Sequence, residues 1–435
     1  MATKVNVGVI GIGTVGTGVV RGLLEKAPLL ERRTGVRVAL ARACDRRPPP
    51  PTRLKLPSGV FTADAQRLLR DPDIQIIVEL IGGLHPAKAF LLEAMRRGKH
   101  VVTANKALLA QEGRELFAAA DRYRVHLCFE ASVGGGIPII KSLREGLIAN
   151  DLNAIIAIIN GTSNYILSQM RDKQQSFHEA LSEAKKHGYA ERNASLDVDG
   201  HDAAHKLAIL ALLGFGVHVP MAAIHTEGIS RVSLSDIQYA DQLGYRIKPL
   251  AIAKQVDGEL ELRVHPTLLE KSHPLANVNG VYNAIYVHGD LVGAELFYGR
   301  GAGQNPTASA VLADIADIAR GLSQGLVRRG AAYLPKGREL ALRAMDDVET
   351  RYYMRFLVID KPGVLGTIAG VLGRHQISIA SVSQKERRTA RSSPVVMMTH
   401  EAKEANVRRA LAAIDRLGVV KAPTVALRTE EPRGK

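Results

Sequence analysis

Glu191, Asp197, Asp199, Asp202 and Lys206 fall within one short run, GYAERNASLDVDGHDAAHK, residues 188–206. The run reads as a loop feeding a helix that starts near 199–201 and continues through AAHKLAILALL. Asp202 and Lys206 are four residues apart, so both project from one face of that helix. A carboxylate and an ammonium that must meet the same small polar substrate need such placement. An isolated D-x-x-x-K is ordinarily a surface ion pair. Here the acids ahead of it, and a nucleotide-binding signature at the chain start, argue for a site.

That signature is KVNVGVI, a short buried strand, then Gly11-Ile12-Gly13-Thr14-Val15-Gly16, then the helix-like VGTGVVRGLLEKA. Strand, G-x-G-x-x-G and helix in that order let backbone N–H groups approach a pyrophosphate at a helix N-terminus. The second strand, VRVALARACD, ends at Asp45, an acid at the position that takes a ribose hydroxyl. It lies further along than the usual spacing of about 20 residues, which predicts a long helix-to-strand connection. Arg46 and Arg47 follow and suit a 2′-phosphate; plain surface charge is the other reading. Lys106, in TANK, stands at a strand end, outside the carboxyl edge where ligands bind in open α/β sheets.

These residues need elements to hold them. IQIIVELIGG, KHVVTANK and VHLCFEASV read as buried strands separated by helical patterns, which predicts a doubly wound parallel sheet of Rossmann type. Gly134, Gly135 and Gly136 break regular structure, and NGTSN is a polar strand-to-helix junction. From 247 to 298 the pattern is β-rich, predicting an open mixed sheet in a second, α+β domain. GRGAGQNPTASA is a glycine-rich turn before a helix that returns to the first domain, and 325–337 reads as a connection. The last 80 or so residues run β-α-β-β-α-β, a ferredoxin-like unit long enough to fold alone. The division expected is 1–133, completed by about 305–335, for the nucleotide-binding domain. Residues 134–304 are expected to form a catalytic and dimerisation domain, and 350–430 the last unit.

The chain has 435 residues, 46% hydrophobic and 23% charged, a globular composition. Its net charge of +15 points toward nucleic acid, but aromatics are 4%, Trp is absent and no long basic tract occurs. The densest basic cluster, from Arg32 to Lys55, is better matched to a nucleotide phosphate. No nucleic-acid or membrane partner is expected. No apolar run approaches the roughly 20 residues of a bilayer span, and the N-terminus shows no signal peptide. Cys44 and Cys128 read as free thiols in a reducing cytoplasm.

Together GIGTVGTGV, TANK, EASVGGGIP, NGTSNYIL, GYAE…LDVDGHDAAHK and GAGQNPTASAV resemble homoserine dehydrogenase of the monofunctional kind, with a C-terminal ACT domain. The resemblance spans nearly the whole chain. It implies hydride transfer between L-homoserine and L-aspartate 4-semialdehyde with NADP or NAD. Lys206 and Lys106 match the family's catalytic lysines, and Asp202 the acid that positions substrate or lysine. Glu191, Tyr189 and Asp197 match the substrate end, and Thr103 with Lys106 the cofactor side. The family's sodium or potassium site, built largely of backbone carbonyls, matches Glu130, Val133, Gly135 and Ile137. The resemblance further implies threonine as an effector at the ACT domain, whose Asp360-Lys361-Pro362-Gly363 turn matches the ligand loop. Independently, a ferredoxin-like unit has sheet edges and a face that a copy of itself often covers, so a homodimer or homotetramer is expected. Asn193-Ala194 stand where the family commonly has Asp-Pro, and Asp199 where it often has Glu. Two other readings remain at this point: another nicotinamide-dependent amino-acid dehydrogenase, or a non-catalytic ACT-type amino-acid sensor.

Overall fold

Lys4–Ile10 buries Val5, Val7 and Val9 on one face and Gly8 and Ile10 on the other, which suits a central strand covered on both faces. Around it forms a parallel sheet in the order Phe61–Thr62, Arg37–Cys44, Lys4–Ile10, Ile76–Glu79, His100–Thr103, Leu127–Cys128. The order reverses between Lys4–Ile10 and Ile76–Glu79. The crevice outside the strand ends at this switch point is where doubly wound folds bind nucleotides. The computed structural model describes residues 4–325, 340–384 and 392–431, so most of the connection expected at 325–337 lies outside the described residues.

The chain divides into two compact units. The first comprises 1–155, 205–221 and 283–339, and contains the parallel sheet. Thr14–Glu25 and Gln304–Ser323 pack so closely there that a Cβ on Gly22 would lie 2.4 Å from the Leu312 side chain. The late helix therefore completes the core beside the nucleotide strands.

The second unit comprises 156–204, 222–282 and 340–435. Its mixed sheet runs Tyr245–Val256, Glu259–Glu270, Val420–Thr429, Tyr352–Ile359, Ser392–Thr399, Ile379–Gln384. The last four strands carry the expected ferredoxin-like topology, with Val364–Arg374 and Glu404–Ile414 covering one face. The sheet does not stop at that module. Thr267 and Leu268 pair in parallel with Arg428 and Thr429, so Glu259–Glu270 extends it. The other face is covered as well. Tyr353, Val396, Met398 and Leu427 share one core with Tyr165, Val198, Ile229 and Ile237.

The C-terminal segment, long enough to fold alone, thus also shares a core and a sheet with residues 165–268 of the same unit. One face and one edge of the module are occupied within this unit. The physical reason is that the module's second apolar face is matched to apolar residues from 165 to 268, a pairing that strand alternation alone does not reveal.

Candidate active site

Each glycine of the first turn meets a different demand. Gly11 adopts φ +100°, and a Cβ there would lie 2.7 Å from the Leu80 carbonyl carbon. A Cβ on Gly16 would lie 1.9 Å from the Gly11 oxygen. Gly13 has nothing within 4 Å of its would-be Cβ and is exposed, as is Thr14. It leaves open space where a pyrophosphate must approach the N-terminus of Thr14–Glu25. Asp45, at the end of its strand, accepts from the Ile12 and Arg46 N–H groups, each at 2.7 Å. Each carboxylate oxygen keeps a lone pair for a ribose hydroxyl. Arg46 and Arg47 are exposed beside it. Burial pushes the neighbouring Cys44 thiol up to about 11, so it stays protonated. The residues present fit a dinucleotide.

Lys106 is held by a buried relay. The Thr103 hydroxyl donates to the fully buried Glu79 at 2.7 Å and accepts from the Asn105 N–H at 3.0 Å. Asn105 caps the helix Lys106–Tyr123 by accepting from the Leu108 N–H, and its amide donates to the Gly83 carbonyl at 2.7 Å. Lys106 is thus the first residue of that helix, where the helix end favours a negative partner. Thr103 serves this positioning through Glu79, a residue that strand periodicity marks only as core. Lys206 lies on His201–Phe215 and is 8% exposed. Gln111 Nε2 and His205 Nε2, 3.4 Å apart, tie the two lysine-bearing helices together.

Asn160 organises the acids. Its side-chain oxygen caps the helix Gly161–Asp172 through the Ser163 N–H. Its amide nitrogen donates to Asp197 at 2.7 Å and to Asp202 at 2.9 Å. Asp202 is 6% exposed. The Ser163 hydroxyl donates to the Asp197 carbonyl, and Thr162 to that of Tyr189. NGTSN is visible in the sequence as a polar junction. An asparagine just ahead of a helix signals a cap, but nothing in the chain order signals that its amide bridges two acids about 40 residues on. Tyr189 is 46% exposed, with its ring edge-on to Tyr165 at 4.9 Å and stacked on His187 at 5.8 Å. Glu191 is exposed two residues later.

The glycine run after Glu130 is a strained turn. Gly134 and Gly135 have φ +71° and +59°, and a Cβ on Gly135 would lie 2.4 Å from the Gly301 oxygen. The Glu130 carboxylate accepts from the Ile140 and Lys141 N–H groups at 2.8 Å each, and its own N–H donates to Asp314. Burial pushes Glu130 up to about 7 against those two N–H groups, and burial, with Glu130 adding to it, raises Asp314 well above the usual carboxylate range. The Ile137 carbonyl already accepts from Ile139 at 2.8 Å. Among the described residues no cluster of three or more His, Cys, Asp or Glu could hold a metal ion.

Comparison with known proteins decides the family. Residues 138–316 match the homoserine dehydrogenase model, 11–130 the model of the homoserine dehydrogenase NAD-binding domain and 352–419 that of the ACT domain. The chain is 44% identical over 433 residues to the homoserine dehydrogenase of Pseudomonas aeruginosa, covering 98% of this chain and 99% of that one. The crystal structure of a homoserine dehydrogenase from Thiobacillus denitrificans matches with a TM-score of 0.92 at 43% identity, covering 99% of both. The chain belongs to the homoserine dehydrogenase family. It is an NAD(P)-dependent oxidoreductase, and neither a different dehydrogenase nor a bare sensor is favoured. A hyperthermophilic archaeal homoserine dehydrogenase, solved in complex with NADPH, matches at TM-score 0.62 and 27% identity, covering 73% of this chain and 98% of that one.

Within this family the pair Asn193-Ala194 departs from the common Asp-Pro. The Asn193 side-chain oxygen accepts from the Ser195 N–H at 3.2 Å, as an aspartate would, so the turn into Ser195–Val198 is kept without the proline. No described helix is long and apolar enough to cross a membrane.

Proposed function

We propose that the chain interconverts L-aspartate 4-semialdehyde and L-homoserine, using NADP or NAD, as a cytoplasmic enzyme. The observation that carries this reading is the Asn160 amide joined to both Asp197 and Asp202, one helical turn before Lys206. The nicotinamide would supply or accept a hydride at the reacting carbon. As hydride adds to a carbonyl, negative charge grows on its oxygen. Lys206, with Lys106 at its helix N-terminus, stabilises that charge and delivers the proton. Asp202, fixed by Asn160, holds the amino-acid substrate or the lysine in register. Glu191 and Tyr189 take the ammonium end. Gly11 to Gly16 hold the pyrophosphate, and Asp45, Arg46 and Arg47 the ribose, with a lean toward the 2′-phosphate form. A sodium or potassium ion at the carbonyls of Glu130, Val133, Gly135 and Ile137 would brace the glycine turn.

Threonine as effector at the Asp360–Gly363 turn, and assembly as a homodimer or homotetramer, belong to the same reading. Initial rates with both substrates, both cofactors, with and without threonine and potassium, test it. Turnover of neither compound with either cofactor overturns it.

A further inference from the structure

Arg428, on the last strand Val420–Thr429, is 5% exposed and bridges two carboxylates. Its Nε and Nη2 donate to Glu404 at 2.7 Å each. Its Nη1 and Nη2 donate to Glu227 at 3.0 and 2.9 Å. Glu404 begins the ACT helix Glu404–Ile414 and also accepts from the Tyr352 hydroxyl at 2.7 Å. Glu227 lies outside the ACT segment, just after the short strand His225–Thr226. Burial alone would raise its carboxyl, but His225 and Arg428 hold it well below the usual carboxylate range. The clamp is therefore charged on both sides at neutral pH.

The backbone around Glu227 lies directly on the turn that precedes Asp202. The Glu227 N–H donates to the Val264 carbonyl, and the Ile229 N–H to the Val198 carbonyl, both at 2.8 Å. A Cβ on Gly228 would sit 2.4 Å from the Val198 oxygen and 2.7 Å from the Asp199 Cα. Gly200 has φ +88°, and its would-be Cβ lies 3.0 Å from the Thr226 methyl. Gly228 packs backbone to backbone on Val198 and Asp199, and the Thr226 methyl packs on Gly200, so a shift of one strip moves the other. The turn 198–200 joins Ser195–Val198, with Asp197, to His201–Phe215, with Asp202. Asn160 ties the two acids on one side, and residues 226–229 form the floor on the other.

We propose that Arg428 and Glu227 are positioning residues for the reaction: an ACT-strand guanidinium fixes the floor of the acid-bearing turn. This rests on the reading of Asp197 and Asp202 as substrate-side acids. The clamp is not needed to neutralise the buried charge. The Glu227 side chain is 39% exposed, and Arg428 keeps Glu404 when Glu227 is gone. A role in holding geometry is what remains for it.

The test uses the full chain with Glu227→Ala, Glu227→Gln, Gly228→Ala and, as control, Asp202→Ala. Glu227→Ala and Gly228→Ala are expected to lower kcat/KM for the semialdehyde about tenfold, a displacement effect, with the KM for cofactor unchanged. Glu227→Gln, which keeps an oxygen for Arg428, should recover most of the loss. Amide exchange at Ile229 should quicken in the alanine variant. If Glu227→Ala and Gly228→Ala keep wild-type kcat/KM while Asp202→Ala abolishes it, the clamp is overturned and the reading of the site stands. If Asp202→Ala is fully active, reading and clamp fall together.

Discussion

Lys4–Ile10 and Val420–Thr429 are both interior strands, yet they are buried by opposite means. The first is lined by Val5, Val7 and Val9, and its polar partners stand beyond its end, at Gly11, Asp45 and Glu79. The second ends in Arg428, Thr429 and Glu430, all at most 5% exposed. Glu430 takes Arg263 at 2.6 Å and Lys254 at 2.7 Å, while Arg428 takes Glu404 and Glu227. Burial would raise Glu430, but Arg263 and Lys254 lower it. Taking such charges out of water is offset only in one register, with every partner present. An apolar strand tolerates volume-conserving repacking; a charged seam does not. The nucleotide sheet thus keeps its specificity in loops at its edge. The mixed sheet spends polar groups inside, to fix where the C-terminal module sits.

The harshest way to break this contrast is truncation. Removing residues 340–435 strips Tyr353, Val396, Met398 and Leu427 from the second unit's core and leaves Arg263 and Lys254 without Glu430. The remainder is expected to be insoluble or unfolded by circular dichroism. A soluble, active fragment would show that the seam is dispensable. Within the full chain, Glu430→Leu leaves Arg263, among the described residues, with Glu261 at 3.4 Å as its nearest carboxylate and with the neutral His265 ring. Removing one partner of a buried pair predicts a loss of about 3–5 kcal/mol by denaturant unfolding. Next comes chemistry. Lys206→Ala should lower kcat by a factor on the order of 10² or more, with cofactor affinity nearly unchanged. Equal activity would remove Lys206 from its role.

The same contrast explains what could be read in advance. The nucleotide turn was legible because its three glycines fall within six residues, and because strand and helix flank it in order. Asp202 and Lys206 were legible for the same reason: helical spacing is local. Asn160 was not, since the acids it bridges are 37 and 42 positions away. The seam was hidden more thoroughly. Arg428 and Glu430 sit in VALRTEEP, which reads as a strand running out into solvent, and Arg263 sits in ELELRVHP, which reads as a half-exposed strand. Their burial depends on each other across 167 positions. Composition therefore counts them as surface charge. The C-terminal module's own topology was readable. That its sheet continues into Glu259–Glu270 was not, because parallel pairing leaves no hairpin signal.

The two edge glycines sharpen the loop side of the comparison. Gly16→Ala places a Cβ within 1.9 Å of the Gly11 oxygen, so the turn must rebuild. Both a lower Tm and a raised cofactor KM are expected. Gly13→Ala meets no protein atom within 4 Å, so its Tm should match wild type. Its methyl occupies the space left for phosphate, and the cofactor KM should rise about tenfold. If Gly13→Ala lowers Tm and spares cofactor binding, the open space has another purpose.

The smallest effect probes the seam by pH. His265 is 1% exposed in the middle of it, and burial, then Arg428 and Arg263, push its pKa well below the ordinary value. Arg263 Nη1 lies 3.2 Å from His265 Nε2, so that nitrogen accepts and the ring is neutral. The other ring nitrogen faces the Thr267 hydroxyl at 2.9 Å and the Pro266 carbonyl at 3.2 Å. In the unfolded chain this histidine takes a proton at about pH 6.5, and in the folded chain it does not. Its contribution is therefore complete above pH 6.5 and is lost as pH falls toward the folded value. The slope is about 1.4 kcal/mol per pH unit for one proton. His100, pushed down to about 4 by burial and His126, adds a similar slope from the parallel sheet. His265→Gln keeps an acceptor for Arg263 but cannot titrate. Unfolding free energies at pH 7 and pH 5.5 should then differ less than in wild type, by up to about 1.3 kcal/mol. An unchanged difference would mean that the seam admits a proton, and that its charges are screened by water rather than locked against one another.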